Sequence, residues 1–320
     1  MAYKIYKLTF EGPCHFGAIQ GAAGLERSLT YCLSDTFFGA LANEAVNLYG
    51  QDGINRLIES VETNQLTFSD LFPYRDRGDL YLPRPILPAN YKDNTELGME
   101  VMARGKELKT IKFIPAYLYV EYIESVRDSR LLEFFDDELT LSALTDVNTR
   151  VNLQGQDSLP YSVGKVVYPQ DSGLYCLVKA NDDFDFEWLT GLIESLGYSG
   201  IGGKRSSGYG RFRVDVDDLD EDLSDLLNQE EGRAVSLSTV IPSPSELDVF
   251  ESGYYSLIAR GGFVVSRNYS RNVKKRNRYF AVESGSTFAH PLQGDLIDVG
   301  DGSGHPVYRM GKGLFIKVDA

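Results

Sequence analysis

The chain has 320 residues, a formal net charge of −14, and 42% hydrophobic against 24% charged residues, which excludes a disordered polymer and allows two domains or one elaborated domain. Its acidity argues against indiscriminate nucleic-acid binding, since phosphate affinity comes largely from Lys and Arg displacing counterions, but a locally basic groove stays open. No apolar run approaches the roughly 18 residues of a membrane span, and Cys14, Cys32 and Cys176 form no CxxC pair, so a reduced cytoplasmic protein is expected, with no membrane partner, disulfide framework, metal or other cofactor.

In chain order, Tyr3 to Phe10 alternates, with Tyr6, Leu8 and Phe10 on one face, and predicts a strand followed by the loop EGPCHFGAIQGAAG. Ser34 or Asp35 is expected to cap a helix reaching about Tyr49, because Phe37 or Phe38, Leu41, Ala45 and Leu48 recur at helical spacing and Gly50 supplies a stop. A shorter helical pattern runs from Ile54 to Val61. The prolines of YLPRPILP (Tyr81 to Pro88) impose extended or looped chain. From Lys92 to Asp146 the pattern is ambiguous, and Ile111 to Tyr122 fits helix or strand. Val151 to Tyr168 predicts a projecting hairpin about the turn signals Gly155 and Pro160.

Gly173 to Ala180 predicts a strand, and Asp185 opens a helix that buries Trp188, Leu189, Leu192, Ile193 and Leu196 before Gly197 ends it. Another strand is expected over Arg211 to Val216. Asp215 to Glu231 then holds nine acids and no cation, with Leu219, Leu223, Leu226 and Leu227 at helical spacing, an acidic helix or linker at a domain boundary. Beyond Arg233 the runs SLSTVI, YYSLIAR, GGFVVS, YFAVE, DLIDV and LFIKV read as strands. The order strand, helix, elaborated middle, helix, strand predicts an α+β fold, a ferredoxin-like or RRM-like antiparallel sheet with helices on one face. That unit is expected over residues 1–216 with an insert at about 87–170, a linker over 217–232, and a β-rich C-terminal domain over 233–320.

One stretch stands apart from the acidic background. Tyr198 to Phe212, YSGIGGKRSSGYGRF, carries five glycines, the cations Lys204, Arg205 and Arg211, and no acid. A Walker A loop requires Ser or Thr after the lysine and a strand leading into a helix, whereas Arg205 follows Lys204 and the context is helix into strand. A dinucleotide fingerprint requires Gly where Arg205 stands. A loop lying against nucleic-acid backbone accounts for more of the residues: Gly200, Gly202, Gly203 and Gly208 let amides approach phosphates, Lys204, Arg205 and Arg211 supply charge, and Tyr209 offers a stacking face. The plain alternative is a mobile surface turn, which the cations without a balancing acid disfavour. A second acid-free run, RNYSRNVKKRNR from Arg267 to Arg278, includes Arg267, Lys274 and Lys275 among six cations, against the alternative of a merely solvated loop.

These stretches resemble the RAMP proteins of CRISPR effector complexes, and among them the subunit of the type III-A (Csm) complex that caps the five-prime end of the guide RNA. The resemblance takes in the FGAIQG loop beside His15, LSDTFFGALANEA (Leu33 to Ala45), YLPRPI (Tyr81 to Ile86), NTRVNLQGQDSLPYSVGKVVY (Asn148 to Tyr168), the glycine loop, GSTFAHPLQGDLIDVG (Gly285 to Gly300) and LFIKV. It implies a non-catalytic subunit for antiviral defence that binds the repeat-derived handle of the crRNA. It also implies a hairpin thumb beside the target RNA, and as neighbours the large polymerase-nuclease subunit and a backbone RAMP subunit. Carried over, Gly202 to Gly210 touch the handle, with Ser206 and Ser207 suited to reading base edges, Arg150 and Asn152 lie at the thumb, and His15, Phe16, Gly17 and Ser34 join the RNA-facing set. The rival reading is a RAMP endoribonuclease, with His15 as general base and Lys204 as charge stabiliser, or Asp35 holding a metal. Plainer roles exist for both: Asp35 or Ser34 as helix cap, and His15 bonding a loop backbone or an RNA phosphate.

Overall fold

The structure is a computed structural model and describes residues 1–17, 25–76, 78–88, 111–128, 144–154, 157–266 and 274–320. Alternating apolar residues draw Ala2–Phe10 (β1) into the middle of a sheet, where Leu8 lies opposite Leu174 of Gly173–Ala180 (β9) and Val214 of Phe212–Asp217 (β10). Leu66–Arg75 (β4), Asp79–Pro83 (β5) and Phe113–Pro115 (β6) extend it, giving the antiparallel order β10-β1-β9-β4-β5-β6. Its first four strands have the order of a ferredoxin-like βαββαβ unit, as the sequence predicts.

The two helices of that unit share one face. Ser34–Glu62 (α1) is two helical arms joined at Gly50, whose φ of 64° and ψ of −145° lie outside the helical region. The stop expected at Gly50 is therefore a kink, and the second pattern continues from it. Phe186–Ser199 (α3) starts at Asp185, whose carboxylate accepts the Trp188 N–H, and Tyr6 reaches its Thr190 hydroxyl at 3.0 Å. Chain from the insert and from beyond β10 covers the other face: Tyr119 of Tyr119–Asp128 (α2) and Asp220, the cap of Glu221–Asn228 (α4), both lie close enough to act on the Tyr175 hydroxyl. Of the acidic stretch, its first residues continue β10 and only Glu221–Asn228 is helical, burying Leu223 and Leu226.

The cap expected at Ser34 or Asp35 is not formed by either residue. Leu33 holds the cap position, without a side-chain bond. Instead Asp70, carried on the irregularity that breaks the β4–β9 register between Phe68 and Leu71, accepts the Ser34 N–H at 2.8 Å. The same carboxylate takes the Thr239 N–H at 2.8 Å and its hydroxyl at 3.0 Å, so one side chain ties the sheet, the helix start and the C-terminal region together.

That region is β-rich. Arg233–Ser236 (β11) sits between Thr287–Phe288 (β14) and Phe315–Val318 (β17), and the hairpins Leu257–Arg260 with Tyr279–Val282 (β12, β13) and Gly294–Asp298 with Tyr308–Lys312 (β15, β16) flank them. Val235, Leu237, Met310 and Ile316 join the same buried cluster as Tyr6, Leu41 and Leu192, so apolar packing is continuous from the first sheet to the last strand. Two expected strands differ. The strand near SLSTVI ends at Ser236, where that run begins, and GGFVVS makes only a bridge from Phe263 to Lys275, because Gly262 turns the chain at a φ of 118°. In the insert, Leu144–Gln154 (β7) and Asp157–Val167 (β8) form the expected hairpin, starting seven residues earlier than its apolar pattern. Pro160 lies within the ladder opposite Val151 and not in the turn, which a two-stranded ribbon permits because one edge asks for no N–H.

Candidate nucleic-acid interface

Three distant segments meet around the glycine loop. Cys14 pairs with Val166 through backbone bonds of 2.8 and 2.9 Å, which lays residues 13–17 along β8. His15 is then held from both sides: its Nδ1–H donates to the Gly164 carbonyl at 2.7 Å, and its own carbonyl accepts the Gly203 N–H at 2.8 Å. The loop closes on itself through Ile201 N–H to Gly210 O at 2.9 Å and is pinned by Gly210 N–H to Pro13 O at 2.9 Å. Ile201 is fully buried and plugs its base.

The outer part of the loop is a single 3-10 turn, Arg205–Ser207, flanked by Lys204 (φ 61°) and Gly208 (φ 82°) in the left-handed region. A non-glycine residue held there is sparsely populated and persists where its surroundings fix it. Here the Lys204 ammonium sits 4.6 Å over the Tyr161 ring and 3.5 Å from its hydroxyl, bridging the loop to β8. The register sets Arg150 directly opposite Tyr161 and Asn152 opposite Leu159, so both positions expected at the thumb lie on the hairpin that the loop touches. At the loop's inner end a Cβ on Gly210 would meet the Ile201 carbonyl oxygen at 1.9 Å, and the φ of 75° is itself a glycine conformation.

The structure divides the residues expected to face RNA. Gly17, Ser206, Ser207, Gly208 and Arg211 are exposed, and Gly202, Gly203, Lys204 and Arg205 are partly buried. Tyr209 is corrected: only 4% of its surface is exposed, so it packs inward and offers no stacking face. Ser34 is corrected too, being fully buried with its hydroxyl accepting the Thr239 N–H at 3.2 Å. His15, Phe16 and Gly200 are buried and support the loop from beneath, and the His15 ring bonds the backbone of strand β8 at Gly164, in place of the expected bond to a loop backbone or an RNA phosphate. Lys274 pairs with Asp301 at 3.2 Å, and Lys275 is exposed, 6.0 Å from the Phe263 ring. Arg267 lies outside the described residues.

Asp35, the acid of the rival nuclease reading, is fully buried and engaged. Arg260 donates to it through Nε at 2.8 Å and Nη2 at 2.7 Å, Thr36 donates at 2.9 Å, and the Tyr279 hydroxyl donates to Oδ2. Burial pushes the Asp35 carboxyl up, but the Arg260 charge and hydrogen bonds outweigh it and hold the group well below the usual carboxylate range. Asp70 goes the other way: burial raises it to about 6 against the hydrogen bonds from Ser34 and Thr239. Sequence reasoning missed Arg260, Tyr279, Arg276 and Arg309 around Asp35; the available signal was a carboxylate at the start of an apolar helix, which needs a buried partner. Among the described residues no three of His, Cys, Asp and Glu gather as metal ligands.

Comparison with known proteins places these observations. The RAMP superfamily model matches residues 7–213, and the CRISPR Csm4 C-terminal domain model matches residues 229–318. A Streptococcus thermophilus protein, CRISPR system Cms protein Csm4, is 31% identical over 325 residues, covering 100% of both chains. A Mycobacterium tuberculosis protein of the same name is 28% identical over 317 residues, 99% of this chain and 98% of the relative. Among solved structures, a chain of a Csm1-Csm4 cassette in complex with pppApA shares the fold at a TM-score of 0.66 and 17% identity, covering 100% of this chain and 98% of that one. A chain of the Csm3-Csm4 subcomplex in the type III-A CRISPR-Cas interference complex does so at a TM-score of 0.65 and 18% identity, covering 100% of both.

Proposed function

The chain belongs to the RAMP superfamily and, within it, to the Csm4 family, and from that premise we propose that it binds the five-prime handle of the crRNA as a non-catalytic assembly subunit of a type III-A interference complex. The observation that carries the reading is the glycine loop itself. It is seated on His15 and β8, raises Ser206, Ser207 and Gly208 to solvent, and brings Lys204 and Arg205 to one edge with no carboxylate in the run. The amides of Gly203, Gly208 and Gly210 are held by the carbonyls of His15, Arg205 and Pro13, so the exposed hydroxyls of Ser206 and Ser207 and the cationic edge of Lys204 and Arg205 are what suit a single strand with splayed bases.

The β7–β8 hairpin, which carries positions 150 and 152, serves as the thumb beside the guide–target duplex, and Lys204 on Tyr161 ties it to the handle-binding loop. Residues 1–216 form the RNA-facing RAMP unit with its insert at about 87–170, and 233–320 form the β-rich unit, joined across 217–232. The large polymerase-nuclease subunit and a backbone RAMP are its neighbours, which the solved Csm1-Csm4 and Csm3-Csm4 assemblies of related chains support. A non-catalytic role is supported by Asp35, whose oxygens are occupied by Arg260 and Tyr279, and by the burial of His15. Among the described residues no helix is long and apolar enough to cross a membrane.

The test is a tagged chain purified with its complex, with copurified RNA sequenced and handle affinity titrated against salt. Handle RNA is expected to copurify. Lys204→Ala with Arg205→Ala is expected to weaken binding and lower the salt slope by about one for each phosphate that is no longer neutralised, with an unchanged melting curve. A wild-type slope in the double variant counts against the loop.

A further inference from the structure

The second cationic centre of the molecule lies away from the glycine loop, where α1 meets the C-terminal hairpins. Arg260, Arg276 and Arg309 gather about Asp35, the carboxylate that acts on all three. Asp35 has no capacity left for two of them. Its Oδ1 takes Arg260 Nη2 and the Thr36 hydroxyl, and its Oδ2 takes Arg260 Nε and the Tyr279 hydroxyl. Among the described residues, the buried Nε–H groups of Arg276 and Arg309 meet no acceptor.

An unpaired buried donor on a cation is costly, so its position asks for a reason. Both guanidiniums are specifically housed. Gly39, in the interior of α1 where glycine is unfavourable, leaves room for Arg309: a Cβ there would come 2.8 Å from Nη1. Arg309 Nη1 is further oriented by the Tyr308 carbonyl at 2.7 Å. The backbone N–H of Arg276 is fixed to the Gly262 carbonyl at 3.0 Å, so the turn at Gly262 sets where its side chain starts. Burial and then the nearby Arg309 push Arg276 down to about 10, which still leaves it charged at neutral pH. Arg276 and Arg309 each keep part of their surface exposed while their Nε atoms are buried.

The surroundings select the class of anion. Arg276 belongs to the acid-free run Arg267 to Arg278, and the same hairpin exposes two aromatic rings, Phe263 at 54% and Phe280 at 68%, with Lys275 over the former. Cations that track a backbone beside open aromatic faces are the combination that holds single-stranded nucleic acid, and a guanidinium matches a phosphate with parallel N–H donors. We propose that Arg276 and Arg309 form a phosphodiester-binding site for guide RNA, separate from the glycine loop, with Phe263, next to Gly262 where a Cβ would lie 3.8 Å from the Arg276 guanidinium, as a stacking face for an adjoining base. The inference rests on the guide-RNA reading above and adds a second point of attachment, in the C-terminal region.

The experiment uses full-length protein with Arg276→Gln, Arg309→Gln and Phe263→Ala, each titrated with handle-plus-guide RNA at several salt concentrations beside a melting curve. A scan of single methylphosphonate linkages in the RNA identifies the phosphate. Each Arg variant is expected to lose about tenfold in affinity and about one unit of salt slope. One neutral linkage should cost wild-type protein the same factor and cost the Arg309→Gln variant nothing further. Melting temperature should hold or rise, because each change removes one of three cations that share the single Asp35 counter-charge; a fall in both Arg variants assigns them a structural role and overturns the site. Wild-type affinity and slope in both, while the Lys204 and Arg205 double variant still weakens, overturns this site and leaves the handle reading standing. Wild-type affinity in all of them removes both. Loss of a protein neighbour with RNA binding intact makes the occupant an acidic side chain, and the proposal fails.

Discussion

Asp35→Asn is expected to lower the stability of the chain by about 3–5 kcal/mol, the usual cost of breaking a buried ion pair from one side. The amide keeps the shape of the carboxylate but turns one acceptor into a donor facing Arg260, and it leaves a guanidinium that is 5% exposed without its counter-charge. If Asp35 were a helix cap, Asn would replace it at no cost, since the two cap about equally well. Denaturant titration separates these outcomes: a large drop in midpoint with an unchanged slope supports the ion pair, and a wild-type midpoint removes it.

The same variant changes the pH profile in a defined direction. The folded-state value of Asp35 lies below the ordinary 3.8, so its stabilisation is fully present above that value and is lost as pH falls through it and below. Wild-type protein should therefore lose stability steeply in acid, and Asp35→Asn should flatten that limb. Asp70 acts in the opposite sense. Its folded-state value of about 6 exceeds the ordinary 3.8, so the folded chain holds the extra proton between these values and stability declines as pH rises across that window. In Asp35→Asn the decline between pH 3.8 and about 6 should remain, because Asp70 keeps its bonds to Ser34 and Thr239.

The second large effect is expected at Gly210. A Cβ there would overlap the Ile201 carbonyl oxygen at 1.9 Å, and both residues belong to the closed neck of the loop. Gly210→Ala must open the Ile201 to Gly210 hydrogen bond and displace the buried Ile201, so handle RNA affinity should fall more than tenfold, a loss of more than about 1.4 kcal/mol. Because the lost element is shape and not charge, low salt should not restore it. Gly302→Ala is the control. Nothing lies within 4 Å of a Cβ at that turn, outside the glycine loop, and the change costs only the left-handed strain of about 1–2 kcal/mol. Equal affinity loss in the two variants would mean that the neck does not shape the site.

The alternation in β1, the apolar spacing of α1 and α3, Asp185 as a cap and Gly50 as an interruption are all readable in the linear chain, because each depends on neighbours within a turn or two of backbone. Their order is enough for the ferredoxin-like sheet, and the missing acids are enough to single out the glycine loop. The folded chain alone decides what lies on the other side of each residue. Tyr209, with a sequence context suited to stacking, turns inward, and Pro160, a turn signal by type, occupies a ladder position because the hairpin starts seven residues sooner. Asp35 looks like a cap since capping is the commonest local use of Asp before an apolar run, yet its partner Arg260 lies 225 residues away, and Ser34 is capped by Asp70 from another strand. A buried charge is satisfied by whatever packing brings near it, and local sequence patterns hold no record of that distance.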